Sequence, residues 1–198
     1  MELIEAASNL FMGKGLDNTS VNDIVKAVNV AQGTFYYHFK SKDEIIEAVV
    51  DNGISALIDK LEAIASDVQL EPARRVNKLI YFLFRFANST SWEFQEYIHM
   101  AGNKALHDKI SEKVQNHFVP ILARVISMGV KNKRFDVKHP LETAEFIAYA
   151  INYNLHRNDF ITASNQRRRR SCKTVEESVA RVLGIKDYKF KLELYESR

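Results

Sequence analysis

Val30-Ala31-Gln32-Gly33-Thr34-Phe35-Tyr36-Tyr37-His38-Phe39-Lys40-Ser41-Lys42 carries two phenylalanines one helical turn apart and few other side chains that favour burial. Phe35 and Phe39, at i and i+4, share one face of a short helix, whereas Gln32, Thr34, Tyr36, Tyr37 and His38 fall on the others. Those side chains can hydrogen-bond base edges or phosphates and lay rings against sugars or thymine methyls. Gly33 removes a side chain where such a helix must come close to a base pair or backbone. Ser41 and Glu44 have the spacing of a capping box, so the next helix starts there, with Lys42 in its first turn, where unpaired N–H groups already favour an anion.

Upstream, Ser20 and Asp23 form a second capping box, and Val21, Ile24, Val25 and Val28 give the helix that follows one apolar face. It is about two turns long, and Asn29 and Val30 interrupt its pattern. Before it, Leu3, Ile4, Ala7, Leu10 and Phe11 mark a first amphipathic helix ending near Gly13 and Gly15. Two short helices joined by a brief turn and backed by a supporting helix meet the requirements of a helix-turn-helix, here at about 20–39.

Downstream, Ile45, Ile46, Val49, Val50, Ile54, Leu57, Leu61 and Ile64 predict one long helix to about residue 65. Pro72 opens a helix apolar on almost every side through Leu79, Phe82, Leu83, Phe84 and Phe86. The stretch from Trp92 to about Lys109 reads as one or two short helices, followed by a longer one from Ile110 to Ile126 that Pro120 is expected to bend. After a connector at 132–139, Leu141 to Leu155 predicts a helix with Ala144, Ala148 and Ala150 available for close packing. The basic run within Thr162–Lys173, including Arg167 to Arg170, reads as a solvated loop, and Thr174 with Glu177 as the cap of a last helix ending at Gly184. Tyr188, Phe190, Leu192 and Leu194 alternate with charged residues, a strand-like period of two.

Three prolines and seven glycines in 198 residues, with 46% hydrophobic content, fit an all-α globular chain. No apolar run approaches the roughly 18 residues of a membrane span, and no signal-like segment begins the chain, so a cytoplasmic protein is expected. The lone Cys172 has no disulfide partner and reads as incidental, although neighbouring arginines could lower its pKa and make it oxidisable. His99, His107, His117 and His156 lack the spacing of a helical zinc site, and no nucleophile motif or phosphate loop occurs, so neither an enzyme nor a metal or other cofactor is expected. The net charge of +3 is uneven: residues 1–47 hold four lysines against seven carboxylates, a net −3, which leaves +6 for the rest. Charge alone therefore does not nominate the N-terminal segment as a nucleic-acid binder.

The segment Ile4 to Ile45 resembles the DNA-binding region of the TetR family. Ala6-Ala7, Leu10-Phe11, Gly15, Thr19-Ser20-Val21, Ile24, Ala27 and the run Val30 to Lys42 carry the likeness. The resemblance implies an all-α fold: an N-terminal three-helix helix-turn-helix domain over 1–45, then a C-terminal helical ligand-binding and dimerisation bundle over 46–198. It implies that Thr19 and Ser20 contact phosphate, that Gln32, Gly33, Tyr36, Tyr37 and His38 lie where family members touch bases and backbone, and that Lys42 clamps a phosphate, with Thr34 and Lys40 as further DNA-binding candidates. It also implies a homodimer through the last two helices, a double-stranded, pseudo-palindromic operator as partner, and a small-molecule effector that tilts the long helix and lowers operator affinity. Phe82, Phe86, Trp92, Tyr97, Phe118, Tyr149 and Tyr153 are the candidate lining of an effector pocket, although aromatic residues at helical spacing equally fill a core. The competing reading is a ligand-sequestering or protein-interaction module whose helix-turn-helix is silent.

Overall fold

The structure, a computed structural model, describes residues 2–89, 104–156 and 164–192. Among those residues it contains eight helices and no strand: α1 (Glu2–Lys14), α2 (Val21–Ala27), α3 (Gln32–His38), α4 (Lys42–Ser66), α5 (Pro72–Ser89), α6 (Lys104–Lys131), α7 (Pro140–His156) and α8 (Asn165–Val182). They fall into two compact units, Met1–Ala56 with Asn88–Glu112, and Leu57–Ala87 with Lys113–Arg198.

In the first unit α1 packs on α2 and α2 on α3. Ala7, Phe11, Ile24 and Phe35 are buried, and so are Ile45, Ile46, Val50 and Ile54 of α4. Gly15 takes a φ of +85° and returns its N–H to Phe11 O at 3.1 Å, which ends α1 where a side chain would be strained. Ser20 caps α2 in both directions: its hydroxyl accepts from the Asp23 N–H at 3.1 Å, and its own N–H donates to Asp23 Oδ2 at 2.9 Å. A cap of this kind contributes on the order of 1 kcal/mol. Asn29, at φ +54°, makes the turn into α3. The cap of α4 is shifted from the expected box: Ser41 Oγ accepts from the Glu44 N–H at 3.2 Å, but the Glu44 carboxylate takes the N–H of Lys40.

The second unit is built on one apolar core. Leu61 and Ile64 of α4, Val76, Leu79 and Phe84 of α5, and Phe118, Leu122 and Ile126 of α6 meet Ala144, Ile147 and Ile151 of α7 and Val175 and Val179 of α8. Each large side chain fully removed from water contributes about 1.5–3 kcal/mol. Ala144 and Ala148 belong to this intrachain core, whereas Ala150 is exposed. Helix α5 is less central than expected, because Arg74, Lys78 and Arg85 are exposed along one side. Helix α6 runs unbroken through Pro120, at the cost of the one intrahelical hydrogen bond that proline cannot donate.

Two expectations fail here, both at the start of α8. The basic run is helix, not loop: Ser164 caps α8 by accepting from the Arg167 N–H at 3.3 Å, so Arg167 to Lys173 form its first turns. Thr174 is then an interior residue whose hydroxyl donates to Arg170 O at 2.9 Å, and arginine is a good enough helix former for the run to propagate. The alternating tail, described as far as Leu192, is not a strand. Phe190 and Leu192 are buried and Lys189 and Lys191 exposed, as the period of two requires, yet its backbone pairs with side chains. Asn77 Oδ1 accepts from Lys191 N at 2.8 Å, Asn77 Nδ2 donates to Lys191 O at 3.1 Å, and the Glu176 carboxylate takes Leu192 N. Cys172 is not activated: burial, with Glu176 nearby, pushes its thiol up to about 12.

Candidate nucleic-acid interface

Helix α3 is held by one side chain. Phe35 is fully buried, with Tyr36 edge-on to it at 5.3 Å between ring centres and Phe39 at 5.6 Å. The other six residues of α3 are exposed, Tyr36 at 53% and Tyr37 at 84%, and Tyr37 meets His38 edge-on at 4.9 Å. Burying one ring and presenting three others reverses the usual economy of a seven-residue helix, because large aromatics normally go inside. Gly33 adds to this. A Cβ placed on it would meet nothing within 4 Å, so neither the fold's packing nor a left-handed backbone requires glycine there.

The flanking candidates divide. Ser20 is exposed, and its hydroxyl donates to Asp23 Oδ2 at 2.7 Å. This bond and the Ser20 N–H, with Lys14 at 3.5 Å, hold the Asp23 carboxyl down to about 2. Thr19 is 1% exposed, and its hydroxyl donates inward to Gly15 O at 2.8 Å. Its side chain is thus engaged within the chain, fixing the turn before Ser20. Lys40 and Thr34 are exposed. Lys42 is half-buried, its ammonium donating to Leu16 O across the unit. Lys26, exposed in the last turn of α2, is a cation that sequence reasoning passed over; its place just before the turn was the available signal.

Of the expected pocket residues, Phe82, Phe86 and Phe118 share the body core, whereas Tyr149 and Tyr153 stand apart from it. Phe118 is fully buried in the body core, and Phe82 and Phe86 are half-buried against it. Tyr149 and Tyr153 are 68% and 66% exposed on the outer face of α7, in line with Phe146, so they do not line an interior. The spacing that suggested burial is the same on either side of a helix, and Ala144, Ile147, Ala148 and Ile151 take the inner side. Trp92 and Tyr97 lie outside the described residues. Among the described residues no cluster of three or more His, Cys, Asp or Glu could hold a metal, and no helix is long and apolar enough to cross a membrane.

Residues 3–49 match the family model of the tetR family of bacterial regulatory proteins, and residues 87–175 match that of the tetracyclin repressor-like C-terminal domain. The chain belongs to the TetR family. It is 39% identical over 61 residues to the helix-turn-helix transcriptional regulator YvdT of Bacillus subtilis, covering 31% of each protein. It is 35% identical over 85 residues to IcaR of Staphylococcus epidermidis, negative regulator of a biofilm operon, covering 43% of each. The matched stretches thus span less than half the length of these curated relatives. Over the whole chain the likeness is one of fold. A transcriptional regulator from Cytophaga hutchinsonii superposes with a TM-score of 0.68 at 20% identity, covering 92% of this chain and 93% of that one. A TetR/AcrR-family regulator from Thermobifida fusca gives 0.61 at 20% identity, covering 98% and 97%. In TetR-family terms α2 and α3 are the helix-turn-helix and α4 the helix that follows it.

Proposed function

We propose that this TetR-family chain is a cytoplasmic homodimeric repressor that reads a pseudo-palindromic operator through α3 and leaves it when a small apolar or aromatic effector binds the body. The observation that carries this reading is the exposure of α3: one buried anchor, six presented residues, and a glycine that the fold itself does not need. A major groove about 12 Å wide admits such a helix. Gln32, Tyr37 and His38 then reach base edges, and Tyr36 and Thr34 reach sugar and backbone. Gly33 allows close approach. Ser20, Lys40 and Lys42 take phosphates, Lys42 by exchanging Leu16 O for a phosphate oxygen, and Thr19 acts through the position of Ser20.

Dimerisation follows from the charge of residues 1–47. A module of net −3 neutralises too few phosphates to hold DNA alone, whereas two recognition helices about 34–36 Å apart double the contacts. The exposed Phe146, Tyr149 and Tyr153 of α7 supply an apolar surface for the second copy. Phe82 and Phe86, half-buried against the core that also holds Phe118, favour an apolar effector. Effector release then needs only differential affinity: a hundredfold change in operator binding corresponds to about 3 kcal/mol.

The test is selection of bound duplexes from a random pool, followed by mobility shifts with variants. Tyr37→Ala is expected to weaken the selected site by roughly 10- to 100-fold, the cost of about 1–3 kcal/mol per lost base contact. Lys42→Ala should weaken all sequences alike and reduce the salt slope by about two, one for each half of the dimer. The −3 charge of residues 1–47 also motivates the second reading, a binding module with a silent helix-turn-helix. No enriched sequence at low salt would reject the operator reader in its favour.

A further inference from the structure

The buried stripe of α6 runs into a glutamine. Phe118, Leu122 and Val125 are fully buried at i, i+4 and i+7, and Gln115 continues their line one turn toward the start of the helix. Its amide reaches α7, where Nε2 donates to Ala148 O at 3.3 Å. Ala148 lies inside α7, so its carbonyl already has a helical partner, and the bond to Gln115 is an extra one. The other end of the amide is different. Gln115 Oε1 is shut off from water and accepts nothing among the described residues. The Ala148 bond fixes which end is which, because turning the amide over would set two acceptors against each other. Buried side-chain acceptors nearly all have a donor, and one left without it loses its hydration for no return. A leucine or methionine at 115 would complete the stripe without that penalty. The glutamine therefore calls for a donor that the chain does not itself supply.

We propose that Gln115 Oε1 is the group that reads the effector, and that the effector is an apolar or aromatic molecule carrying one O–H or N–H donor, as a phenol does. The inference rests on the effector reading above and adds the chemistry of the molecule. Around the amide, Phe118, Ala148 and Ile151 are buried, and Val114, Phe82 and Phe86 pack against the same apolar core, so the bulk of the ligand is apolar. Its one polar requirement is a proton directed at Oε1. A hydrocarbon or an ether brings none, and a carboxylate would oppose its own acceptors to the amide oxygen. Apolar walls alone distinguish a hydroxyl from a methyl poorly. An acceptor built into those walls distinguishes them well, because the analogue without the donor leaves it unpaired again. Gln115 is thus a specificity-determining residue, and through Ala148 the same amide joins the bound molecule to α7 as well as α6.

Three matched probes test this on the full-length protein by titration calorimetry: naphthol, its methyl ether, which keeps the oxygen and loses the donor, and methylnaphthalene, all substituted at the same carbon. The wild type should bind naphthol more tightly than the ether by roughly tenfold or more, although the ether is the more apolar of the two. Gln115→Met keeps the length of the side chain and removes the acceptor. In that variant the preference for naphthol should vanish, while methylnaphthalene binds at least as tightly as to the wild type. Circular dichroism shows whether the variant is folded, and Gln115→Leu replaces it if it is not. Equal binding of naphthol and its ether by the wild type, or a preference that survives in the variant, would overturn the donor inference and leave the effector reading standing. A wild type that binds none of the three up to their solubility would overturn the apolar-effector reading with it.

Discussion

At Gly33 helix α3 has room for a methyl group that the sequence does not supply. Alanine there should raise helix stability by about 0.8–1 kcal/mol, read as a higher Tm, while operator affinity falls by roughly tenfold or more, read by mobility shift. A glycine kept for the fold would move both quantities down. Asp23 offers a pH test. Its carboxyl sits near 2, against an ordinary value of 3.8, because Ser20 and Lys14 favour the charged form. A depressed folded value stabilises above the unfolded one, so this contribution is complete above about pH 4 and lost as pH falls toward 2. Asp23→Asn should therefore lose less stability than the wild type between pH 5 and pH 2 in a far-ultraviolet circular dichroism titration. Cys172, raised to about 12, should stay unreactive toward a thiol reagent at pH 8 until the protein is unfolded. The residues of α3 were legible because one apolar pair, Phe35 and Phe39, marks the buried side and everything else is then outside. Thr19 was not, because a hydroxyl can satisfy a carbonyl within the chain as readily as a phosphate, and only its burial decides.

Among the elements, the connector between α6 and α7 turns on one contact. A methyl group on Gly129 would stand 2.2 Å from Phe135 Cδ2, since the ring lies flush on the helix backbone. Gly129→Ala should cost about 1–3 kcal/mol by denaturant unfolding, as overpacking does, with most of the loss recovered when Phe135 is also shortened to leucine. Periodicity found the apolar side of most helices, and the paired caps at Ser20 and Asp23 placed the start of α2 to the residue. It misjudged the start of α8, because a run of arginines suits a solvated loop and a solvated helix equally and the deciding cap is the single Ser164. It also set Tyr149 and Tyr153 inward. A helix with apolar residues on two opposite sides gives no sequence signal of which side faces its own core.

For the molecule as a whole, operator binding should respond to salt through few phosphates, because residues 1–47 carry a net −3. A plot of log affinity against log salt with a slope no steeper than about −6 for the dimer is expected, and a slope near −10 would place further cations of the +6 remainder on the DNA. The tail shows the limit of pattern in another way. Its alternation was read correctly, but its partner is the amide of Asn77, 114 residues earlier, which no local rule reaches. That span bears on the order in which the protein is made. The helices α1 to α3 touch their immediate neighbours in sequence and can settle while the chain is still being synthesised. Phe190 and Leu192 are set into the second unit last, so a nascent body keeps two apolar sockets open until translation has passed Leu192. Ribosomes stalled a few codons before that point would hold a chain whose recognition helix is already formed and whose body is still vulnerable to proteolysis.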